Sequence, residues 1–244
     1  MALPDKSKTS AKKVQVEEMF DNISPKYDLL NHLLSANIDK IWRKRVIRML
    51  AKHHPSEILD IATGTADFAI AATKIRNSKI TGIDISEGML EIGRKKISRL
   101  KLEKKIELIK ADSENLPFSD NQFDAAIAGF GVRNFESLKA GLKEVLRVIK
   151  PGGVFFILEF SKPVKTPFKQ LYQFYFLKIL PFVGGLISKN KNAYTYLPES
   201  VNEFPDGHDF LTILADVGFV ENRFYTQTFG IATIYKAIKP EIRG

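Results

Sequence analysis

An α/β fold built on a doubly wound, Rossmann-like, seven-stranded and mostly parallel sheet is the architecture this sequence predicts. Three observations carry the expectation. From about residue 57 to 160, short apolar runs alternate with amphipathic stretches of helical period, as in βαβ units whose strands are covered on both faces. The first run, Ile58-Leu-Asp-Ile-Ala-Thr-Gly-Thr-Ala-Asp67, breaks into a small-residue turn and then a helix; the next, Ile80-Thr-Gly-Ile-Asp84, ends on an acid 24 residues after Asp60. Near the C-terminus, two further strand-like runs flank Phe229-Gly230, which predicts an antiparallel hairpin.

Each element follows in chain order. Residues 1–13 carry Lys6, Lys8, Lys12 and Lys13 and read as a disordered basic tail ahead of a single domain, 14–244. Residues 14–54 read as N-terminal helices around a polar turn at Ser24-Pro25. Strands are expected at Glu57–Ile61, Lys79–Ile83, Ile106–Lys110, Phe123–Gly129 and Val154–Phe160, the last started by a Pro151-Gly152-Gly153 turn. Helices are expected between them at Phe68–Arg76, Gly88–Leu100 and Phe135–Ile149. Residues 163–200 leave the alternation and read as an inserted helical cap. Its aromatic-rich part, Pro163–Asn190, is interrupted by Lys169, Gln170, Gln173 and Lys178, so no run reaches the ~18–20 apolar residues of a spanning helix. A helix at Asp209–Val217 and strands at Glu221–Thr228 and Ile231–Ile238 complete the chain. Ligands of such sheets bind beyond the carboxyl ends of the strands, where an insertion after Phe160 would cover them.

Composition narrows the function classes. The 244 residues are 44% apolar and 27% charged, ordinary for a globular domain with a sizeable core. No cysteine occurs, which excludes disulfides, thiolate metal sites and cysteine nucleophiles and fits a reducing compartment. The N-terminus lacks a signal-type apolar core, so a cytoplasmic location is expected. The net charge of +9 suits nucleic acid, an anionic membrane surface, or no specific partner. Much of it lies between Arg94 and Lys110, which reads as a solvated helix face. No aromatics are interleaved there, which argues against a nucleic-acid partner. His32, His53, His54 and His208 show no metal-ligand spacing, so no metal site is expected. Neither a phosphate loop nor a Gly-x-Ser-x-Gly nucleophile elbow is present.

The strand ends carry the chemistry. A turn containing Gly64 and Thr65 lets backbone approach a ligand, and Asp84 at the end of the next strand can accept both hydroxyls of a ribose or cap the following helix. Only one glycine occupies the turn, which suits a nucleoside ligand without a pyrophosphate, and S-adenosylmethionine is the candidate. Asp112 and Ser113 follow the third strand, where an acid can take the exocyclic amine of an adenine or simply lie in a surface loop. Gly129-Phe-Gly-Val-Arg133-Asn134 ends the fourth strand, over the position of a transferable group. Arg133 there either orients a phenolate oxygen or a water, or pairs with a nearby acid.

Taken together, these motifs resemble a class I S-adenosylmethionine-dependent methyltransferase. Four longer stretches resemble the ubiquinone/menaquinone biosynthesis C-methyltransferases. They are Tyr27-Asp-Leu-Leu-Asn-His-Leu-Leu-Ser35 followed by Trp42-Arg43; Phe130-Gly-Val-Arg-Asn134; Arg147-Val-Ile-Lys-Pro-Gly-Gly-Val-Phe-Phe-Ile-Leu-Glu-Phe-Ser161; and Tyr194-Thr-Tyr-Leu-Pro-Glu-Ser200. The resemblance implies methyl transfer from S-adenosylmethionine to a ring carbon of a polyprenylated, lipid-soluble quinol. Demethylmenaquinol is the expected substrate, and the benzoquinol of the ubiquinone pathway, or both, the alternative. It implies cofactor contacts from Thr65, Asp84, Asp112 and Ser113, with Gly64 and Gly129 beside them, and a catalytic group of Arg133, Asn134 and Tyr27. The family has glycine where this chain has Ala66, and some relatives have serine at Gly129. A lipid substrate gives the positive charge a use in peripheral contact with an anionic membrane surface. The aromatic cap then lines the entry for the isoprenoid tail, or forms a homodimer interface or plain core. A nucleic-acid methyltransferase is the different-class alternative, and the chain has no Asn/Asp-Pro-Pro-Tyr/Phe motif to support it.

Overall fold

The computed structural model describes residues 2–5, 7–35, 37–174 and 191–241. Seven strands, β1 (Glu57–Ile61), β2 (Lys79–Asp84), β3 (Ile106–Lys110), β4 (Phe123–Gly129), β5 (Ile149–Phe160), β6 (Val220–Gln227) and β7 (Ala232–Ile238), form one sheet in the order β3-β2-β1-β4-β5-β7-β6. The first five strands are parallel, β7 pairs antiparallel with β5, and β6 pairs antiparallel with β7. The seven-stranded sheet and its C-terminal hairpin therefore match the expectation. The order reverses between β1 and β4, and in open sheets that is where a crevice opens at the strand ends.

Helices cover both faces. Beside β1 to β3 lie α3 (Asp67–Ala72) and α4 (Glu87–Arg99); α5 (Leu138–Val148) precedes β5, and α8 (His208–Val217) precedes β6. One core packs Leu142 and Val145 of α5 and Phe210 and Leu214 of α8 on Leu59, Ala126, Phe155 and Tyr235. The other packs Trp42, Val46 and Leu50 of α2 (Ile38–Leu50) and Phe68 of α3 on Ile58, Ile127, Phe156 and Ile234. The central strands β1, β4, β5 and β7 are buried on both faces, which explains why they read as apolar runs and not as alternations.

Three expectations are corrected. No turn forms at Ser24-Pro25: α1 runs unbroken from Lys12 to Leu34 with Pro25 inside it. Proline removes the N–H that would reach the Asp21 carbonyl one turn back, and the Ser24 hydroxyl donates to that carbonyl instead, at 2.9 Å. The Pro151-Gly-Gly153 turn does not start a strand. β5 begins at Ile149, and Lys150 to Gly153 form a bulge between the Phe123–Ile149 and Ala125–Val154 pairs. The N-terminal residues do not make a free tail. Ala2 is buried against Val16, Met19 and Tyr196, and its backbone N–H donates to Glu203. Lys12 is buried too, its Nζ donating to the Phe135 carbonyl at 2.9 Å and to that of Arg133 at 3.2 Å.

Two helices of the expected cap, α6 (Phe168–Phe174) and α7 (Lys191–Glu203), flank residues 175–190, which lie outside the described residues. The basic stretch from Arg94 is largely solvated, as expected; its exception is Lys96, which turns inward to Thr65 and Asp67.

Candidate active site

The turn after β1 is held in an unusual backbone form. Ala62, Gly64 and Ala66 all have positive φ (51°, 57° and 67°). Positive φ is uncommon for residues with a Cβ, and alanine is among the smallest that can adopt it. Thr63 fastens the turn from beneath: its N–H donates to the Ile83 carbonyl at 2.8 Å and its hydroxyl to the buried Asp60 carboxylate at 2.6 Å. Burial pushes Asp60 up to about 7, against the pull of the Thr63 hydrogen bond.

Asp84 faces this turn from the end of β2. One carboxylate oxygen accepts the Gly64 N–H at 2.8 Å and the other the Ser86 N–H at 2.9 Å. Burial raises its pKa to about 6, opposed by those backbone hydrogen bonds. Ser86 caps α4, with its hydroxyl accepting from Met89 N–H at 3.2 Å. The helix-cap role expected as the alternative for Asp84 thus belongs to Ser86, and the carboxylate edge stays available to a ligand.

A cleft partly open to solvent lies over these strand ends. Gly64, Asp84, Asp112, Ser113 and Gly129 line it from the sheet, and Tyr27 and Asn134 line it as well. Gly129 is required by space: a Cβ there would sit 2.8 Å from the Phe68 ring. Seven of the nine expected site residues therefore meet in one cleft. Their chemistry fits a nucleoside carrying a sulfonium: a carboxylate at ribose position, a second acid one strand away, and an apolar wall of Met89, Phe130 and Phe135.

Two expected residues point elsewhere. Thr65 does not line the cleft; its hydroxyl accepts from Lys96 Nζ at 2.9 Å, and that ammonium also meets Asp67 at 2.6 Å. Arg133 does not line it either. Its guanidinium is buried on Glu159 at 2.7 Å, donates to the Phe130 carbonyl, and lies over the Phe160 ring. Glu159 is wholly buried and also accepts the Phe160 N–H at 2.9 Å. The salt-bridge alternative for Arg133 is the one the structure adopts. The pair braces the turn that presents Asn134, so Arg133 acts on the cleft through its neighbours.

Tyr27 apart, one wall of the cleft escaped the sequence reading. Lys13, Val16, Phe20 and Tyr27 come from a single face of α1 and close the cleft opposite the strands. Lys13 Nζ pairs with Asp112 at 2.7 Å. Asp21 on the same helix accepts from Ser86 Oγ at 2.5 Å and from Gly88 N–H at 3.0 Å. The spacing 13, 16, 20, 27 is helical and was visible in principle, but the Ser24-Pro25 reading cut the stripe in two.

Comparison with known proteins places the fold and the family. Of solved structures, the [4+2]-cyclase SpnF aligns over 96% of this chain and 98% of its own, with TM-score 0.67 and 16% identity. A methyltransferase from Thermotoga maritima described as a possible histamine N-methyltransferase aligns over 91% and 99%, with TM-score 0.63 and 17% identity. At such identities they show the fold alone, and a cyclase among them shows that the fold does not set the reaction. In sequence, the demethylmenaquinone methyltransferase of Bacteroides fragilis is 45% identical over 96% of each chain. The ubiquinone/menaquinone biosynthesis C-methyltransferase UbiE of Geotalea daltonii is 45% identical over 95% of this chain and 99% of its own. The sequence profile of one family matches residues 8–239, from the first turn of the N-terminal segment to the end of the last strand. The chain belongs to the ubiE/COQ5 methyltransferase family.

Proposed function

We propose that this protein transfers the methyl group of S-adenosylmethionine to a ring carbon of a polyprenylated quinol, with demethylmenaquinol as its substrate. The observation that carries the reading is the cleft itself: a buried carboxylate, Asp84, anchored by Gly64 and Ser86 amides one strand from the sheet's reversal point, with Tyr27 and Asn134 at the same opening. When bound, S-adenosylmethionine supplies a methyl group already activated on sulfur.

The residues of the chain do the rest. Asp84 accepts the two ribose hydroxyls through the lone pairs its amide donors leave open. Asp112 holds the adenine amine beside Lys13, and Ser113 and Gly129 border the same ligand. Tyr27 and Asn134 orient the quinol ring hydroxyl, whose loss of a proton makes the neighbouring carbon nucleophilic. The aromatic wall excludes water from the approaching carbon and methyl. Arg133 holds this arrangement through Glu159 instead of touching the substrate.

Naphthoquinol is favoured over benzoquinol by the names of the relatives: demethylmenaquinone methyltransferase recurs among them. The test is side-by-side turnover of short-tailed demethylmenaquinol and of the ubiquinone-pathway benzoquinol, both chemically reduced, under equal detergent. Preference for the naphthoquinol in kcat/KM is expected. Turnover of the benzoquinol alone would overturn the substrate assignment.

A further inference from the structure

We propose that Tyr196, which lies outside the cleft, is a positioning residue for methyl transfer: its hydroxyl donates to Asn134 Oδ1 and so fixes Asn134 Nδ2 as the hydrogen-bond donor offered to the quinol oxygen. The inference rests on the reading above and names a residue that reading does not use.

Asn134 has one acceptor oxygen and one donor nitrogen, and rotation about its last bond exchanges them. Tyr196 Oη lies 3.0 Å from Oδ1, and an amide oxygen only accepts, so the phenol must donate. In the opposite flip Nδ2 would donate to the phenol oxygen, and the phenol proton, set among Ala2, Val16 and Met19, would lose Oδ1 as its acceptor. Asn134 lines the cleft, so fixing Oδ1 on Tyr196 leaves Nδ2 for whatever the cleft holds. A quinol oxygen gains negative charge as its ring carbon attacks, and an aimed N–H stabilises that charge. In the step, the hydroxyl proton leaves to solvent, the ring carbon forms its bond to the methyl, and the carbon–sulfur electron pair stays on sulfur. The ring carbon then loses its own proton and the oxygen regains one, so the net release is a single proton.

The surroundings of Tyr196 suit this duty. It is 3% exposed and packed on Ala2, Val16 and Met19, so the N-terminal segment and α1 seal it. Burial raises its pKa to about 12, which keeps the phenol a donor at every working pH. One turn further along α7, Ser200 Oγ accepts from Arg133 Nε at 3.4 Å. One face of α7 thus holds both adjacent residues of the turn after β4, and only Asn134 of the two reaches the cleft.

The test is Tyr196→Phe in the full-length enzyme with reduced demethylmenaquinone, measuring kcat, cofactor affinity and the pH dependence of kcat beside wild type. The expected result is a kcat about tenfold lower, with S-adenosylmethionine affinity unchanged. The rising limb of the kcat–pH profile should move up by about one unit, the equivalent of tenfold weaker stabilisation of the ionised oxygen. The charged groups nearest Tyr196 are Arg133, Glu159 and Glu203. In the cleft, Lys13, Asp84, Asp112, Glu114 and Glu136 face the substrate. All are common to both proteins, so a difference between the two profiles reports the quinol oxygen. A structural role alone would lower the melting temperature or cofactor affinity and leave the profile in place, and that outcome overturns the proposal. In an Asn134→Ala background the tyrosine change should have no further effect; additive losses would also overturn it. Should Tyr196→Phe fail to fold, Asn134→Ala decides: wild-type kcat in that variant removes the donor and the proposal with it. Wild type that methylates no quinol defeats the underlying reading, whereas active wild type with an equally active Tyr196→Phe defeats only this inference.

Discussion

Asp84 is held under opposing demands. Its backbone amide donors favour the carboxylate, while burial favours the acid and wins, placing its pKa near 6 against an ordinary 3.8. The sign follows for the ligand-free protein. A carboxyl whose folded pKa is raised contributes stability in full below about 3.8, and that contribution is lost as pH rises through about 6. Cofactor binding runs the other way, because ribose hydroxyls need the ionised form. Calorimetry should therefore show S-adenosylmethionine affinity falling as pH drops below about 6, and Asp84→Asn should bind at least tenfold more weakly at neutral pH with no such dependence. Equal affinity of the two proteins would remove Asp84 from the ribose site. Arg133 makes the second prediction. Arg133→Ala leaves Glu159 buried without its cation and should cost about 3–5 kcal/mol in a denaturant melt. Arg133→Met with Glu159→Leu should recover part of that loss. A catalytic contact predicts instead a normally stable Arg133→Ala protein without turnover. At this scale the sequence was legible wherever backbone geometry sets a residue's place, as at Gly64, Asp84 and Gly129, which all line the cleft. Arg133 was not, because its partner lies on the next strand, 26 residues away. Thr65 was misplaced because Lys96, one helix on, turns its hydroxyl away from the cleft.

The element that most changes the picture is α1. It roofs the cleft and is tied to both rims, through Asp21 to the start of α4 and through Lys12 and Lys13 to the turns after β4 and β3. Asp21 stands in for a helix cap: it receives the Gly88 N–H and steadies the Ser86 hydroxyl that caps α4. Asp21→Ala should cost about 1 kcal/mol, the usual worth of a cap, and weaken cofactor binding because the roof loses its latch on the ribose side. A thermal melt read with and without cofactor checks both parts; an unaltered melt in both states would show that the latch carries nothing. Apart from the start of β5, the strands were readable to within a residue at each end, since apolar runs bounded by polar turns leave few alternatives. Helix α1 was not, because Ser24-Pro25 is a sound turn signal in isolation. Only the Ser24 hydroxyl, standing in for the missing proline N–H, lets the helix continue. The bulge at Lys150 to Gly153 was hidden for a related reason: glycines that mark a turn mark a bulge equally well, and the register with β4 decides.

For the whole molecule, the proposed lipid-linked substrate gives the positive charge a use at a membrane surface. The strand reversal puts the cleft at the β1–β4 boundary, and the chain carries a net charge of +9. No helix among the described residues is long and apolar enough to cross a membrane. Lysines at 162, 165 and 169 accompany exposed Val164 and Phe174, while Phe168 stacks on exposed Phe229 at 3.8 Å. These features support peripheral attachment, with the prediction that the protein sediments with anionic vesicles, is released by salt, and ignores neutral ones. Sedimentation indifferent to salt and to lipid charge would refute it. The class of fold was legible because alternation of strand and helix is a property of the whole chain; which residues close the cleft was not, because closure is made by α1, which lies ahead of that alternation. The account as a whole is tested most directly by one turnover experiment. The full-length protein receives S-adenosylmethionine with a deuterated methyl group and reduced short-tailed demethylmenaquinone, and the product is located by mass spectrometry and NMR. The account predicts one labelled methyl on a ring carbon. A label on oxygen, or no labelled quinol while calorimetry shows the cofactor bound, would contradict it.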